Sequence, residues 1–137
     1  MYTVEDVTVK YFPEVKDFRG GMSIIQSNES LLFDIKRVFY MYGMSNDQVR
    51  GAHANEKSSF YLININGTCK IKVMDMSGKE RVIDLTKPTE GVYIPKMIWK
   101  EMYDFSEGSV MLALSDENYD AQEYIRDKTV FLGKGEM

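Results

Sequence analysis

Ser59-Phe60-Tyr61-Leu62-Ile63-Asn64-Ile65, then Asn66-Gly67, then Thr68-Cys69-Lys70-Ile71-Lys72-Val73-Met74 is the stretch whose reading decides the fold. Aromatic and β-branched residues in two short runs, parted by a turn dipeptide, are strand chemistry. The second run alternates strictly, with Cys69, Ile71 and Val73 on one face and Lys70 and Lys72 on the other, so only one of its faces meets a core. Asn-Gly supplies the positive-φ positions of a tight type I′ turn, and the two runs are therefore expected to pair as a hairpin.

The same rhythm spreads outward to Val7–Tyr11, to Ser23–Gln26 after an Arg19-Gly20-Gly21 corner, and to Lys36–Tyr42. It continues through Arg81–Leu85, Val92–Ile94, Ile98–Phe105 and Ser109–Ser115. Only the tail changes period. Ser115-Asp116-Glu117-Asn118 reads as an N-terminal cap, which predicts a short helix over Tyr119–Arg126. Eight to ten short strands and one terminal helix predict an all-β sandwich or barrel, in a single domain over residues 1–137.

Composition narrows the function classes. With 44% apolar and 12% aromatic residues the chain can build a core, which excludes wholesale disorder. A net charge of −4 argues against a nucleic-acid partner held by overall charge. The single cysteine, Cys69, excludes an intramolecular disulfide and a cysteine-based zinc site. The opening MYTVEDVTVKYF carries acids where a secretory leader needs a basic segment and an apolar run, and no stretch approaches the roughly 20 apolar residues of a membrane helix. A cytoplasmic protein without a membrane partner is expected.

His53 is the only histidine. In an extended Arg50–Asn55 segment it shares a face with Asn55, and on a barrel wall that face can be the lumen. From spacing alone, a lone histidine beside a strand is more often a surface or hydrogen-bonded structural residue. Arg19, Arg37 and Arg50 each sit at or beside a strand; together on one inner wall they would grip a diphosphate by bidentate bonds, and otherwise they are solvated charges. Most of the aromatic residues must be core, and one or two can stack on a nucleobase.

Several blocks together are similar to one known family. Phe33-Asp34-Ile35-Lys36-Arg37-Val38-Phe39-Tyr40, Arg50-Gly51-Ala52-His53-Ala54 and Asn66-Gly67-Thr68-Cys69-Lys70 resemble the sugar-nucleotide 3,4-ketoisomerases of the WxcM-like cupin type. So do Gly91–Ile94, Trp99-Lys100-Glu101-Met102-Tyr103-Asp104-Phe105-Ser106, Tyr119-Asp120 and Glu123–Arg126. The resemblance runs from about Arg19 to Arg126. It implies a cupin jelly-roll β-barrel, a homodimer exchanging an N-terminal strand, no cofactor, and an isomerase acting on a dTDP-4-keto-6-deoxyhexose in deoxyamino-sugar biosynthesis for surface glycans such as lipopolysaccharide. By position it makes His53 the catalytic base. It places Asn55 and Tyr103 beside it, and Arg19 (from the partner), Arg37, Arg50, Ser59 and Lys100 on the substrate.

The places where cupins carry metal ligands hold His53, Asn55, Ser59 and Lys100, one good donor of four, so no metal is expected. Asn55 falls where the family has a second, proton-shuttling histidine, and an amide cannot take and return a proton. Ser59, Phe60 and Lys100 also depart from the family's Glu, Gln and His or Arg. The shuttle can then belong to Lys100, Tyr103 or a water, or Asn55 can be an exchanged catalytic histidine, or the chain can bind a nucleotide sugar to another end. Epimerisation of a related keto sugar and non-catalytic binding are the alternatives that stay open.

Overall fold

The structure is a computed structural model and describes residues 1–135. Twelve strands are present among them: β1 (Thr8–Tyr11), β2 (Glu14–Asp17), β3 (Gly20–Ser23), β4 (Arg37–Tyr42), β5 (Arg50–Asn55), β6 (Phe60–Asn66), β7 (Cys69–Met74), β8 (Glu80–Leu85), β9 (Glu90–Ile94), β10 (Trp99–Tyr103), β11 (Val110–Ser115) and β12 (Tyr124–Ile125). One helix, α1 (Lys128–Lys134), follows. Two antiparallel five-stranded sheets, in orders β1-β9-β6-β11-β4 and β12-β5-β10-β7-β8, face each other as a jelly-roll sandwich, and β2-β3 form a separate ribbon.

The expected β6–β7 hairpin does not exist. β6 is wedged between β9 and β11, while β7 lies in the other sheet between β10 and β8. Asn66-Gly67-Thr68 is a corner between the sheets. Only Gly67 of the dipeptide takes a positive φ, +87°, and type I′ needs two such residues. The corner is held from outside itself: Asn66 Nδ2 donates to the Gly108 carbonyl and the Thr68 amide to Ser106 Oγ. A Cβ on Gly67 would lie 2.5 Å from the Ser106 and Ser109 hydroxyls, so the close approach requires glycine. The local hairpin is β7–β8, closed by Asp75–Lys79.

Burial follows from this crossing. Phe60 and Leu62 of β6 point inward with Ile71, Val73, Leu85, Val92, Ile94 and Met111 to form the core between the sheets. Tyr61 and Ile63 point outward, yet they are covered by Ile25, Leu31, Phe33 and Ile35 of the β3–β4 connection. A strand buried on both faces needs no alternation, which is why β6 reads as a continuous apolar run and β7 does not.

The tail also differs from expectation. Tyr119–Arg126 is not a helix: a 3-10 turn at Ala121–Glu123 leads into β12, which pairs Tyr124 with Asn55 and Ile125 with Ala54. The helix begins after Asp127, whose carboxylate caps the amides of Thr129 and Val130. It seats Phe131, fully buried, against Trp99, Met74 and Ala54 on the outer face of the second sheet. The strand foreseen at Ser23–Gln26 is likewise displaced, to Gly20–Ser23.

Phe131→Ala should cost about 3–5 kcal/mol of unfolding free energy in urea and Asp127→Ala about 1 kcal/mol. A loss below about 1 kcal/mol for Phe131→Ala would show that α1 is not docked.

Candidate active site

Between the two sheets lies a cavity of about 110 Å³ lined by Phe39, Met41, Arg50, Gly51, His53, Phe60, Leu62, Lys100, Met102 and Tyr124. β5 and β10 build its polar wall. Their ladder pairs Lys100 with His53 and then Glu101 with Gly51, so Ala52 is an extra residue in a bulge. Gly51 and Ala52 both lie in the left-handed region, at φ +84° and +59°. Ala52 is strained there, and such strain gathers at functional sites. Gly51 cannot be replaced cheaply, because a Cβ would meet the Lys100 carbonyl oxygen and the Met102 sulfur at 3.0 Å each.

Lys100 is the unusual residue. It is 3% exposed, enclosed by apolar walls, with its ammonium 4.7 Å from the centre of the Phe60 ring. Its Nζ donates to Asn55 Oδ1 at 2.8 Å. Burial brings its pKa down from 10.5 to about 7, helped by the Arg37 guanidinium and opposed by the Glu123 carboxylate. Glu123 is itself buried. Burial works against its charge, but the Ser58 hydroxyl and the amides of Ser58 and Lys57 donate to it and hold its pKa below the usual value, so it is ionised near neutrality.

His53 packs edge-on against Tyr124, ring centres 4.7 Å apart. Desolvation, then the charges of Lys100 and Arg126, push its pKa down to about 3. The imidazole is therefore a free base at neutral pH. Arg37, on the inward face of β4, lies over Phe39, Phe60 and Tyr119 at 5.2–5.7 Å and donates from Nη1 to the Tyr124 hydroxyl at 3.4 Å. Its Nε and Nη2 are buried without a partner among the described residues, as are His53 Nδ1 and Asn55 Nδ2. Unpaired buried nitrogens gathered in one region are uncommon in a folded protein.

The fold thus brings together His53, Asn55, Arg37, Arg50 and Lys100. It does not bring in three others. Ser59 points to the outer face with Tyr61, its hydroxyl accepting from the Lys96 amide. Tyr103 follows Trp99 and Glu101 on the outer face of β10, away from the cavity, because alternation sets it opposite Lys100 and Met102. Arg19 sits at the end of the exposed β2–β3 ribbon, where its guanidinium pairs with Asp17. Residues that sequence reasoning missed are Glu123 and Tyr124, which the expected helix had carried away from β5. The signal for an extended tail is the Tyr124-Ile125 pair alone, and it is weak because Glu123 and Asp127 beside it disfavour strands.

A family described as "FdtA: WxcM-like, C-terminal" matches residues 5–135. The chain belongs to that family. A TDP-4-oxo-6-deoxy-α-D-glucose-3,4-oxoisomerase from Aneurinibacillus thermoaerophilus is 36% identical to it over 115 residues, 84% of this chain and 82% of that protein. A 3,4-ketoisomerase from Helicobacter canadensis is similar in structure, with a TM-score of 0.92 and 33% identity over 96% of this chain and 98% of its own. A histidine-to-asparagine variant of the 3,4-ketoisomerase QdtA from Thermoanaerobacterium thermosaccharolyticum, solved with TDP-4-keto-6-deoxyglucose, gives 0.92 at 34% identity over 96% and 94%. Like these relatives, this WxcM-like chain is a cupin-type β-sandwich. No helix among its described residues is long and apolar enough to cross a membrane.

The buried ammonium makes stability depend on pH. Between about pH 7 and 10.5 the unfolded chain still holds the Lys100 proton that the folded chain has released, so stability rises with pH across that window. His53 acts with the same sign, but between about pH 3 and 6.5. Above pH 9 the buried Cys69 thiol, pushed up to about 12, acts in the opposite direction. From pH 7 to 8.5 the unfolding free energy should therefore climb by roughly 1 kcal/mol per pH unit. Lys100→Met should flatten that slope, and an equal slope in the variant would place the effect elsewhere.

Proposed function

We propose that His53 is the base with which this chain, a TDP-4-keto-6-deoxyhexose 3,4-ketoisomerase, moves the sugar ketone from C4 to C3. The C3 proton is acidic because it lies alpha to the C4 carbonyl. Its removal gives an enediol, and reprotonation at C4 completes the transfer. An imidazole on the cavity wall that is unprotonated at neutral pH is free to accept that proton, the more so once the Lys100 charge that depresses it is relieved. The observation that carries the reading is that His53 and Lys100 line one cavity, with the unpartnered Arg37 nitrogens set against its Phe60 and Tyr124 walls.

Arg37 and Arg50 hold the diphosphate in this reading. Arg37 offers two free N–H groups in a fork, and Arg50 stands exposed at the rim. Arg19 joins them from a second copy of the chain. The β2–β3 ribbon supports this exchange: it projects Val15, Phe18 and Met22 into solvent, Phe18 at 98% exposure. The outer face of β4, an edge strand, likewise exposes Val38, Tyr40 and Tyr42. Apolar residues of this size on a ribbon and an edge strand suit an isologous dimer. Asn55 orients Lys100, while Ser59 and Tyr103 support strand packing. No metal or other cofactor enters the reaction, which needs only proton transfers.

Incubation with TDP-4-keto-6-deoxyglucose in D2O should replace the C3 proton and yield the 3-keto product by proton NMR, with C5 untouched. Exchange at C5 would point to epimerisation instead. His53→Asn should lower C3 exchange on the order of 10²–10⁴-fold while TDP binding persists; wash-in at the unaltered rate would dismiss His53 as the base.

The exchanged ribbon predicts complementation. Mixing inactive Arg19→Ala with inactive His53→Asn should restore about a quarter of the activity, since half the dimers are mixed and each carries one intact site. No recovery after subunits have exchanged would place Arg19 outside the partner's site.

A further inference from the structure

We propose that Lys100 is the proton relay between the two sugar oxygens, taking in this chain the part of the absent second histidine, with Asn55 as its positioning residue. The inference rests on the ketoisomerase reading above and adds a second catalytic residue to it. Moving a ketone between adjacent carbons needs two kinds of proton traffic. One proton passes from C3 to C4, which His53 handles. Another passes from O3 to O4, and neither an amide nor a guanidinium can carry it near neutral pH.

Among the described residues, the titratable and charged groups around the cavity are few. Arg37 comes from β4, Arg50 and His53 from β5, Lys100 from β10, and Glu123, Tyr124 and Arg126 from the tail. Glu123 has both oxygens engaged by Ser58 and Lys57. Tyr124 lies against His53, with its hydroxyl accepting from Arg37. Lys100 alone is buried, lines the cavity, stands opposite His53 in the ladder, and has one fixed acceptor, Asn55 Oδ1. That bond occupies one of its three N–H groups and leaves the others for substrate oxygens. Burial also brings its two protonation states close in energy near neutrality, which a relay requires.

The steps balance. His53 takes the proton from C3; the C–H electron pair becomes the C3=C4 bond, and the carbonyl pair moves to O4, which takes a proton from the Lys100 ammonium. The neutral amine then accepts the O3 proton. The O3–H pair forms the C3 carbonyl, and the C3=C4 pair takes the proton from the imidazolium at C4. C3 is oxidised, C4 is reduced, and both side chains end as they began. Across each step one cation replaces the other. The Lys100 charge that depresses His53 disappears as His53 becomes charged, so the cavity never has to hold both.

The test separates exchange from conversion, using TDP-4-keto-6-deoxyglucose in D2O. Lys100→Arg keeps a positive charge beside O4 but cannot give up its proton. It should lower the ratio of net 3-keto formation to C3 exchange on the order of 10²–10⁴-fold, whatever the permanent charge costs His53 in absolute rate. Lys100→Ala should lose conversion similarly and regain part of it with added methylamine. Conversion within tenfold of the parent in either variant, without amine, overturns the relay while leaving the His53 reading intact. Absence of C3 exchange in the parent protein overturns both. If the variants fail to bind TDP by calorimetry, the parent decides: the ratio of conversion to C3 exchange should fall as pH rises through neutrality, and a constant ratio to pH 9 overturns the relay.

Discussion

A lysine ammonium enclosed between two sheets, with one side-chain carbonyl as its hydrogen-bond acceptor, is the constraint around which the cavity end of this barrel is arranged. Desolvating a cation costs several kcal/mol unless other groups compensate. Three do so, from three parts of the chain: the Asn55 carbonyl on β5, the Phe60 ring face on β6 and the ionised Glu123 in the tail. Glu123 is held in turn by Ser58 and Lys57 in the β5–β6 connection. The charge at Lys100 thus ties the tail, β5 and β10 into one unit. β12 lies against β5 for the same reason, because the turn that carries Glu123 leads directly into it.

The same unit sets the chemistry of His53. The Gly51-Ala52 bulge puts an unpaired residue ahead of His53 and brings it level with Lys100. Regular pairing would shift the register by one and turn the imidazole to the opposite face. Once the two bases share a wall, each resists protonation while the other is charged. A site that must pass one proton between carbons and another between oxygens gains from such opposition. At neutral pH the arrangement holds an uncharged imidazole beside a lysine close to its titration point.

Much of this was legible in the sequence, for physical reasons that also explain the failures. Strand content follows from alternation and residue type, so Cys69–Met74 and the all-β class emerged from local pattern alone, while the jelly roll came only from the resemblance. Pairing partners do not, because in a jelly roll nearly every sheet neighbour is distant in sequence. Asn66-Gly67 has hairpin chemistry, yet the cross-turn bonds to Ser106 and Gly108 bend it into a corner. His53, Arg37, Arg50 and Lys100 were found through resemblance and register. Tyr103 and Ser59 were misplaced because a motif gives sequence neighbours without giving faces. Glu123 was hidden by an acid-rich segment that caps a 3-10 turn as readily as a helix.

The two departures from the family pattern at Asn55 and Lys100 are one physical change. The resemblance puts a second histidine at position 55, and an imidazole facing a buried ammonium would present either a competing base or a second positive charge. An amide presents a carbonyl oxygen that is never protonated in this pH range, and Lys100 Nζ uses it at 2.8 Å. Conversely, without the lysine that carbonyl would join Asn55 Nδ2 as a buried group with no partner. Each residue therefore makes the other tolerable. The pair moves the titratable group from β5 to the facing strand β10 while keeping it on the same cavity.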